Sequence, residues 1–424
     1  MRAEATPSLG CDRRLAATLW CAGLAAFAAM YAPQGLLPQI ARDLSVDPSQ
    51  ASLLVSASTL GLALSVLAWA WLSDRIGRRP AMRMAAAGAA LCAVVVPWLP
   101  SFEALLAGRF LHGVALGGIP ALAMALPHDT AAPQRAATLA GSYVAATSLG
   151  GLGGRLLVVP AADQLGWRLG LFALGCVIAV LMAGMIGLIP QAPARRSASR
   201  SGGTVTEVRS HLRNPAILPI LVVGMLLVGG MMAVFNYLPF RLEHHPYELA
   251  PTMISLIFLT YLAGTAGSRA AGWLSSHFGA IPVLATACLL MTGGAAITIS
   301  RPLVLVVLGV AMLTTGLFIG HAVASSMVAA RASHGRSQAT ALYNICYYAG
   351  SSVFGWLGGV AWSHGQWLTV ALLVIVLGAS ACALTVVALS NANPLITPCA
   401  GARRRVRHSH VHDGPVRRER GLRP

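Results

Sequence analysis

Apolar stretches long enough to cross a membrane alternate with short polar segments along the whole chain. Eleven stretches of at least nineteen residues contain no Asp, Glu or Arg. A bilayer core about 30 Å thick needs roughly twenty apolar residues per helix, so ten of these stretches fit one helix each. The eleventh is long enough for two, with "SHGQW" at 363–367 as the hairpin. The pattern predicts an all-α membrane protein with twelve transmembrane helices, and the stretches run 15–41, 48–73, 84–102, 110–128, 136–154, 169–194, 214–240, 249–268, 270–300, 302–330 and 337–402.

A polar segment after the sixth stretch divides the chain in two. It reads "QAPARRSASRSGGTVTEVRSHLRNP", residues 191–215, and this composition cannot form a packed core. We interpret it as a linker with a surface helix near 205–213. The expected organisation is an N-terminal six-helix bundle at 1–190, a cytoplasmic linker at 191–213, a C-terminal six-helix bundle at 214–392 and an Arg- and His-rich cytoplasmic tail at 393–424.

One turn occurs twice, at a distance of about half the chain. "AWLSDRIGRR" at 70–79 and "GWLSSHFGAI" at 272–281 lie 202 residues apart and share Trp, Leu, Ser and Gly in register. The first copy has Asp74, Arg75, Arg78 and Arg79 where the second has Ser, His, Ala and Ile. Repetition at half the length of a twelve-helix protein is typical of secondary transporters, whose substrate site lies between the halves near the membrane midplane.

Composition and the placement of charge support a membrane location. The chain is 56% hydrophobic and only 10% charged, whereas soluble domains carry roughly a quarter charged residues. Its net charge is +17 without a single Lys, and most Arg residues fall in segments that are cytoplasmic if the N-terminus is inside. By the positive-inside rule, we expect a multi-pass protein of a bacterial inner membrane with both termini and both repeated turns in the cytoplasm. The positive charge then reflects topology and not nucleic-acid binding.

No residue pattern for enzyme chemistry is found. The eight Cys are scattered without a CxxC pair, which argues against disulfides and a zinc site. A chain without Lys has no Gly-rich nucleotide loop ending in Gly-Lys, and no catalytic cluster lies at membrane depth. "HSHVH" in the tail is interpreted as a solvated segment, and the first apolar segment as an uncleaved signal anchor. We expect no enzyme activity, cofactor or metal.

The first turn resembles a transporter signature. Residues 70–83 are similar to the motif Gly-x-Leu-Ala-Asp-Arg-x-Gly-Arg-Arg of the major facilitator superfamily, with departures at Ala70 and Ser73. The second copy lies where that family keeps a weaker copy, between helices 8 and 9. Within the family, "FNYLPFRL" at 235–242, "GHAVASS" at 320–326 and the "GGRL" after helix 5's first glycines resemble YnfM-type bacterial inner-membrane efflux carriers.

Helices 4 and 5 resemble two signatures of the family's drug–proton antiporters. "LLAGRFLHGVALGG" matches Arg-x-x-Gln-Gly at Arg109, with His112 in place of Gln, and helix 5 has Gly151 where Gly-Pro-x-x-Gly has Pro. The resemblance implies antiport and a proton-coupling role for Arg109, and His112 is a proton candidate because His titrates near neutral pH. Glycines at close spacing in helices 5 and 11 are expected to serve tight packing or conformational switching: Gly150, Gly151, Gly153, Gly154, Gly350 and Gly355.

Ionisable residues at membrane depth are few and basic. All thirteen acidic residues fall in loops, tails or helix ends, which leaves Arg109, His112, Arg155 and His321 inside the predicted spans. Each Arg either snorkels or binds backbone carbonyls, or in the case of Arg109 serves coupling; His321 is either a packed neutral residue or a second proton candidate. Without a buried carboxylate, the expected ligand is neutral, amphipathic or anionic. The predicted cavity residues are Asn236, Tyr237, Tyr261, His321, Tyr343, Asn344 and Tyr347, with interfacial anchoring as the alternative for Tyr237 and Tyr261.

The charges of the first turn predict a gate. Asp74 ends helix 2, where its carboxylate can meet the positive N-terminal end of helix 11, which starts near residue 338. Arginines can complete a charge network that favours the inward-closed state, although topology alone would also explain them. The predicted gate residues are Asp74, Arg75, Gly77, Arg78, Arg79 and Arg135.

These patterns favour a proton-driven antiporter that exports a small organic solute by alternating access. A symporter of the same fold that imports a sugar or organic anion is the alternative, and a transporter-like membrane sensor is the alternative of another class. The expected partners are a small-molecule substrate, protons and the lipid bilayer. One chain contains a whole translocation unit, so a monomer is expected.

Overall fold

The computed structural model describes residues 9–127, 133–190 and 204–389, and within these ranges the chain is helical without a β-strand. The predicted tail at 393–424, including "HSHVH", for which three alternating His also allow metal binding, lies outside the described residues. The α-helices are α1 (Leu9–Tyr31), α2 (Leu37–Asp43), α3 (Pro48–Ile76), α4 (Arg78–Val95), α5 (Phe102–Ala123), α6 (Pro133–Leu165), α7 (Trp167–Leu188), α8 (Thr204–Leu212), α9 (Leu218–Glu243), α10 (Pro251–Ser255), α11 (Tyr261–Phe278), α12 (Ala280–Ile297), α13 (Leu303–Arg331) and α14 (Arg336–Leu384).

Twelve membrane-crossing segments follow from this order. Ten helical segments of the described residues are long and apolar enough to span a bilayer, and α1 with α2 forms the first of them. The last of the ten contains two non-helical residues, Gly365 and Gln366, which divide α14 into two arms at the predicted hairpin. The segment 251–278, formed by α10, a 3₁₀ turn and α11, supplies the remaining crossing. The predicted all-α fold with twelve helices is confirmed.

The two copies of the repeated turn have the same backbone conformation. Gly77 (φ 93°, ψ 152°) joins α3 to α4, and Gly279 (φ 87°, ψ 151°) joins α11 to α12. A positive φ strains any residue with a side chain, so Gly is required at both turns. We call the end of the bundle that carries these two glycines the inner end, following the predicted orientation, and the opposite end, with Arg42 and Glu243, the outer end.

The change from helix 8 to helix 9 follows the repeated turn, as predicted, and not the break in the apolar pattern. Arg269, which separates the apolar stretches 249–268 and 270–300, lies inside α11, which continues to Phe278. Arg269 is exposed at the middle of that helix, and its long side chain can extend along the helix toward the aqueous interface without ending the helix. The predicted surface helix of the linker is confirmed as α8. The described helices form one compact unit, and the boundaries of the two predicted bundles stay a prediction.

Glycines set several of the helix–helix contacts. A Cβ at Gly113 would collide with the backbone of Ser58, so α3 and α5 touch backbone to backbone. Gly150 and Gly154 pack in the same way against α1, and Gly350 packs against α9. Close backbone approach through small residues is a main source of helix association in lipid.

Three of the predicted packing glycines differ from that pattern. A Cβ at Gly153 would meet nothing within 4 Å, so this residue makes no tight helix contact among the described residues. Gly151 lines a cavity, and a Cβ built on it would lie 3.8 Å from Tyr31 and 4.0 Å from Phe27 of α1. Gly355 lies between the halves, where an added Cβ would be 3.2 Å from both Asn236 and Ser56. Tight helix packing therefore does not hold for Gly153, and Gly151 has only ordinary contact distances to Tyr31 and Phe27 of α1; the switching alternative stays a prediction.

The two halves are joined at the outer end. Gln34 Nε2 donates to Asn236 Oδ1 at 2.6 Å, and the hydroxyls of Thr59 and Ser352 share a hydrogen bond of 2.7 Å. Nearer the surface, Arg42 forms an ion pair with Glu243. Thr252 Oγ1 also donates to Asp163 Oδ2 at 3.0 Å. These contacts close the outer end of the bundle.

Candidate substrate cavity

A cavity of about 560 Å³ lies between the two halves. Its wall comes from α1, α3, α5 and α6 of the first half and from α9, α11, α13 and α14 of the second. The lining extends to Thr340 and Ala329, close to the inner ends of α14 and α13, so the space runs toward the inner end. Aromatic and small apolar groups dominate the wall, and hydroxyls and amides interrupt it: Thr147, Ser148, Ser268, Ser325, Ser326, Thr340 and Asn344.

The structure places most of the predicted cavity residues at this wall. Tyr261, His321, Asn344 and Tyr347 line the cavity. Tyr343 lies behind the wall, fully buried, with its hydroxyl 2.9 Å from Nδ1 of His321. Tyr343 therefore positions His321, which faces the space.

The prediction is wrong for Asn236 and Tyr237. Both are fully buried in the contact between the halves, where Asn236 accepts from Gln34 and the Tyr237 hydroxyl donates to the Gly355 carbonyl at 3.2 Å. Tyr237 also stacks on Trp362, with 6.0 Å between ring centroids. The polar groups of Asn236 and Tyr237 thus stabilise the closed outer end and do not line the cavity.

Aromatic residues of the first half were missed. Tyr31, Phe27 and Tyr143 line the cavity opposite Tyr347 and Phe318. Tyr31 ends α1 next to the 3₁₀ segment Ala32–Leu36, and a Pro so close behind an aromatic residue in a transmembrane stretch is the signal that could have indicated a broken helix at the site.

Arg109 lies buried on α5 and binds three backbone carbonyls. Nη1 donates to Ala29 O at 3.1 Å, Nη2 to Met30 O at 2.7 Å and Nε to Leu54 O at 3.1 Å. In a continuous helix Ala29 O would accept from the N–H of residue 33, which is Pro33 and has none. The guanidinium thus satisfies the open C-terminal end of α1 from a neighbouring helix.

His112 is held by the same guanidinium. Its Nδ1 lies 3.2 Å from Nη1 of Arg109, and its Nε2 is buried without a hydrogen-bond partner among the described residues. A guanidinium only donates, so Nδ1 accepts and the ring proton sits on Nε2. Binding a second proton at Nδ1 would therefore require Arg109 to move.

Arg155 lies fully buried on α6, behind the cavity wall. Nε donates to Gln34 Oε1 at 2.7 Å, Nη1 to the Gly151 carbonyl at 2.7 Å and Nη2 to the Tyr261 hydroxyl at 3.1 Å. Through Gln34 and Asn236 this network continues into the second half. Sequence reasoning considered snorkelling or carbonyl binding for Arg155 and did not predict this chain of neutral side chains.

The predicted gate network is not formed around Asp74 in this conformation. Asp74 is exposed and makes no hydrogen bond or ion pair within the described part of the chain, and Arg75 lies over the Trp71 ring at 3.9 Å. Arg78 and Arg135 do have partners, and Arg79 is half-buried. The side chains of α3 and α14 that meet, such as Thr59 and Ser352, lie beyond the cavity, which separates the inner ends of the two helices.

Comparisons with known proteins match most of the membrane part of the chain. The Major Facilitator Superfamily model matches residues 19–355. The chain is 34% identical over 361 residues to the "Uncharacterized MFS-type transporter YybF" of Bacillus subtilis (strain 168), covering 84% of this chain and 89% of that protein. It is 32% identical over 355 residues to the "Inner membrane transport protein YnfM" of Escherichia coli (strain K12), covering 84% and 85%. The crystal structure of the nucleoside transporter NupG, at 12% identity, superposes with a TM-score of 0.70 over 89% of this chain and 98% of that chain, which shows the fold alone.

Proposed function

The chain belongs to the Major Facilitator Superfamily and is a multi-pass secondary transporter, and from that premise we propose that it exports a small organic solute across a bacterial inner membrane in exchange for protons. The observation that carries the proposal is the cavity between the halves, lined from both and closed at the outer end. Alternating access needs such a site, which opens to one side while contacts on the other side hold.

Arg109 and His112 support proton coupling. A proton that binds Nδ1 of His112 competes with the contact to Arg109, and Arg109 in turn satisfies the end of α1, two residues before the cavity-lining Tyr31. Proton binding is then linked to the position of α1 at the cavity. Proton binding thereby changes the relative stability of two conformations, which is what coupling requires.

Asp74 supports the predicted gate. On this proposal its carboxylate pairs with the N-terminal end of α14 when the inner end closes, and the pairing breaks in the conformation described here. The lack of charges in the second turn then makes the contact one-sided. Both termini and the two turns are cytoplasmic on this proposal.

The test is a measurement of pH in inside-out vesicles energised with a proton gradient. We expect a transported compound to collapse the gradient, Asp74→Asn to abolish the collapse and Arg109→Ala to weaken it. Asp47→Asn is the matched control, because Asp47 lies at the other end of the same helix α3, where Asn also serves as an N-cap.

No collapse across neutral, cationic and anionic compounds would refute antiport for those classes. Proton-driven accumulation in right-side-out vesicles would decide for the symporter instead. A sensor would show ligand binding without transport in either vesicle.

A further inference from the structure

Arg155 carries a buried positive charge that no carboxylate of the described residues balances. Within the described residues its hydrogen-bond partners are a side-chain amide, a backbone carbonyl and a phenol, and the guanidinium has more N–H donors than these three acceptors use. A charge at membrane depth is costly and is normally paired. The structure thus contains a cation at the substrate site without its counter-ion.

Aromatic rings surround the guanidinium without neutralising it. The Arg155 Cζ lies 4.5 Å from the Tyr31 ring centroid, 4.8 Å from that of Tyr261 and 5.2 Å from that of Phe258. Cation–π contacts offset part of the cost of burial, so the protein can fold with the site empty. They leave the positive charge in place, and Tyr31 and Tyr261 are themselves cavity wall.

Gly151 separates the buried guanidinium from the cavity. This residue lines the cavity, and a Cβ built on it would lie 3.5 Å from Nη1 of Arg155 and 3.8 Å from the Tyr31 ring. Any side chain at position 151 would therefore thicken the wall between the cavity and the charge. Arg155 has no exposed surface in this conformation, so an anion reaches its guanidinium when the Tyr31 ring beside Gly151 moves aside.

We propose that Arg155 is the counter-charge of the substrate and that the cavity selects monoanions with an apolar, preferably aromatic, body. The inference rests on the proposal that this cavity carries the transported solute. The anionic group binds Nη1 and Nη2 past Gly151, and the body packs among Tyr31, Tyr261 and Tyr347. Because Gln34 and Tyr261 come from opposite halves and both touch the guanidinium, a bound anion contacts the junction that must rearrange during transport.

The test is binding to the purified full-length protein in detergent, measured by calorimetry with matched sets of ligands. Each set shares one body and differs in its head group: 3-phenylpropanoate, 3-phenylpropanamide and 3-phenylpropylamine, then the same heads on naphthyl and octyl bodies. We expect the carboxylate of a set to bind about ten- to a hundredfold more tightly than the amide, the range of a charge-assisted hydrogen bond. The amine should bind least.

Two variants assign the preference to Arg155. Arg155→Gln should remove the preference for carboxylate over amide, and Gly151→Ala should reduce it by covering the guanidinium, without a steric clash that would unfold the protein. Gly153→Ala on the same helix is the control and should keep the preference, because its Cβ meets nothing within 4 Å.

Equal binding of carboxylate and amide, binding of none of the carboxylates, or a preference that survives both Arg155→Gln and Gly151→Ala would overturn the proposal. Failure of the antiport proposal is a separate result. Carboxylates that bind through Arg155 but leave the vesicle pH unchanged would refute proton exchange and retain the inference. Neutral compounds that collapse the gradient while carboxylates fail to bind would support proton exchange and overturn the inference about Arg155.

Discussion

Replacing Arg109 with Ala removes the group that satisfies the end of α1. Three bonds to backbone carbonyls are lost, from Nη1 to Ala29 O, from Nη2 to Met30 O and from Nε to Leu54 O. No water reaches these carbonyls readily, since Arg109 is only 6% exposed. Ala29 O, which has no helical donor at Pro33, stays unpaired in the variant, whereas Leu54 O keeps its place in the hydrogen bonds of α3.

The magnitude follows from the number of bonds. Hydrogen bonds between transmembrane helices contribute about 0.6 kcal/mol on average and about 1.7 kcal/mol at most, so the loss of three should lower the free energy of unfolding by about 2–5 kcal/mol.

Unfolding by SDS in mixed micelles, followed by tryptophan fluorescence, measures this free energy. Pro33→Ala provides the matched background, because an alanine at this position supplies the N–H that Ala29 O lacks. In that background Arg109→Ala should cost about 1 kcal/mol less, as one of the three carbonyls regains a donor. Arg168→Ala is the control: this guanidinium also binds two carbonyls, at 2.7 and 3.0 Å, but it is only partly buried and water can replace it.

Two results would refute the reasoning. Arg109→Ala with an unchanged free energy of unfolding would mean that the guanidinium does not satisfy the end of α1. An equal cost in the native background and in the Pro33→Ala background would mean that the missing N–H of the proline is irrelevant. The same measurement also tells whether weak transport by Arg109→Ala reports lost coupling or a partly unfolded protein.

Three further predictions follow from the contacts between helices. Glu243→Gln removes the ion pair with Arg42, whose side chain is 60% exposed. The population open at the outer end should therefore rise at most about fivefold, as measured by spin-label distances across that end. The double variant with Glu at 42 and Arg at 243 should restore the original population. Gly113→Ala should lower the free energy of unfolding by about 1–3 kcal/mol through overlap with the backbone of α3, whereas Gly141→Ala, with nothing within 4 Å, should not. Tyr237→Phe should cost about 1 kcal/mol of stability and leave ligand affinity in calorimetry unchanged, since this ring is not at the cavity; lower affinity would contradict that placement.

Hydrophobic patterning could predict the helices because burial in lipid constrains every spanning segment in the same way. It could not predict their ends where a charged residue reaches the interface. Arg269 interrupts an apolar stretch and yet lies inside α11, whereas the change of direction comes ten residues later at Gly279. The repeated turn was the better marker of that boundary, because a positive φ requires glycine and lipid exposure does not specify where a helix stops.

The cavity was only partly predictable because periodicity identifies the face of a helix but not its neighbour. Tyr347 and Asn344 on α14 face the cavity, while Asn236 and Tyr237 on α9 face the other half. The helix α9 is buried on almost all of its faces. Its polar side chains could therefore face either the cavity or the other half, and both environments are buried. Only the packing of the two halves decides between them.

The spacing of the repeated turn also explains how the outer end closes. Gln34 and Asn236 are 202 residues apart, the distance between the two turns, and Arg42 and Glu243 are 201 residues apart. Gln34 and Asn236 are therefore equivalent positions of the internal repeat. Arg42 pairs with Glu243, the neighbour of its own equivalent His244. If the two halves had identical sequences, the residues that meet on the symmetry axis between them would be the same, and two arginines there would repel each other. The two halves must consequently differ at the positions where they meet, and Arg42 with Glu243 shows that difference as complementary charge. The loss of charge from the second inner turn fits the same requirement, since a charged copy there would add a second positive cluster to the end that has to close.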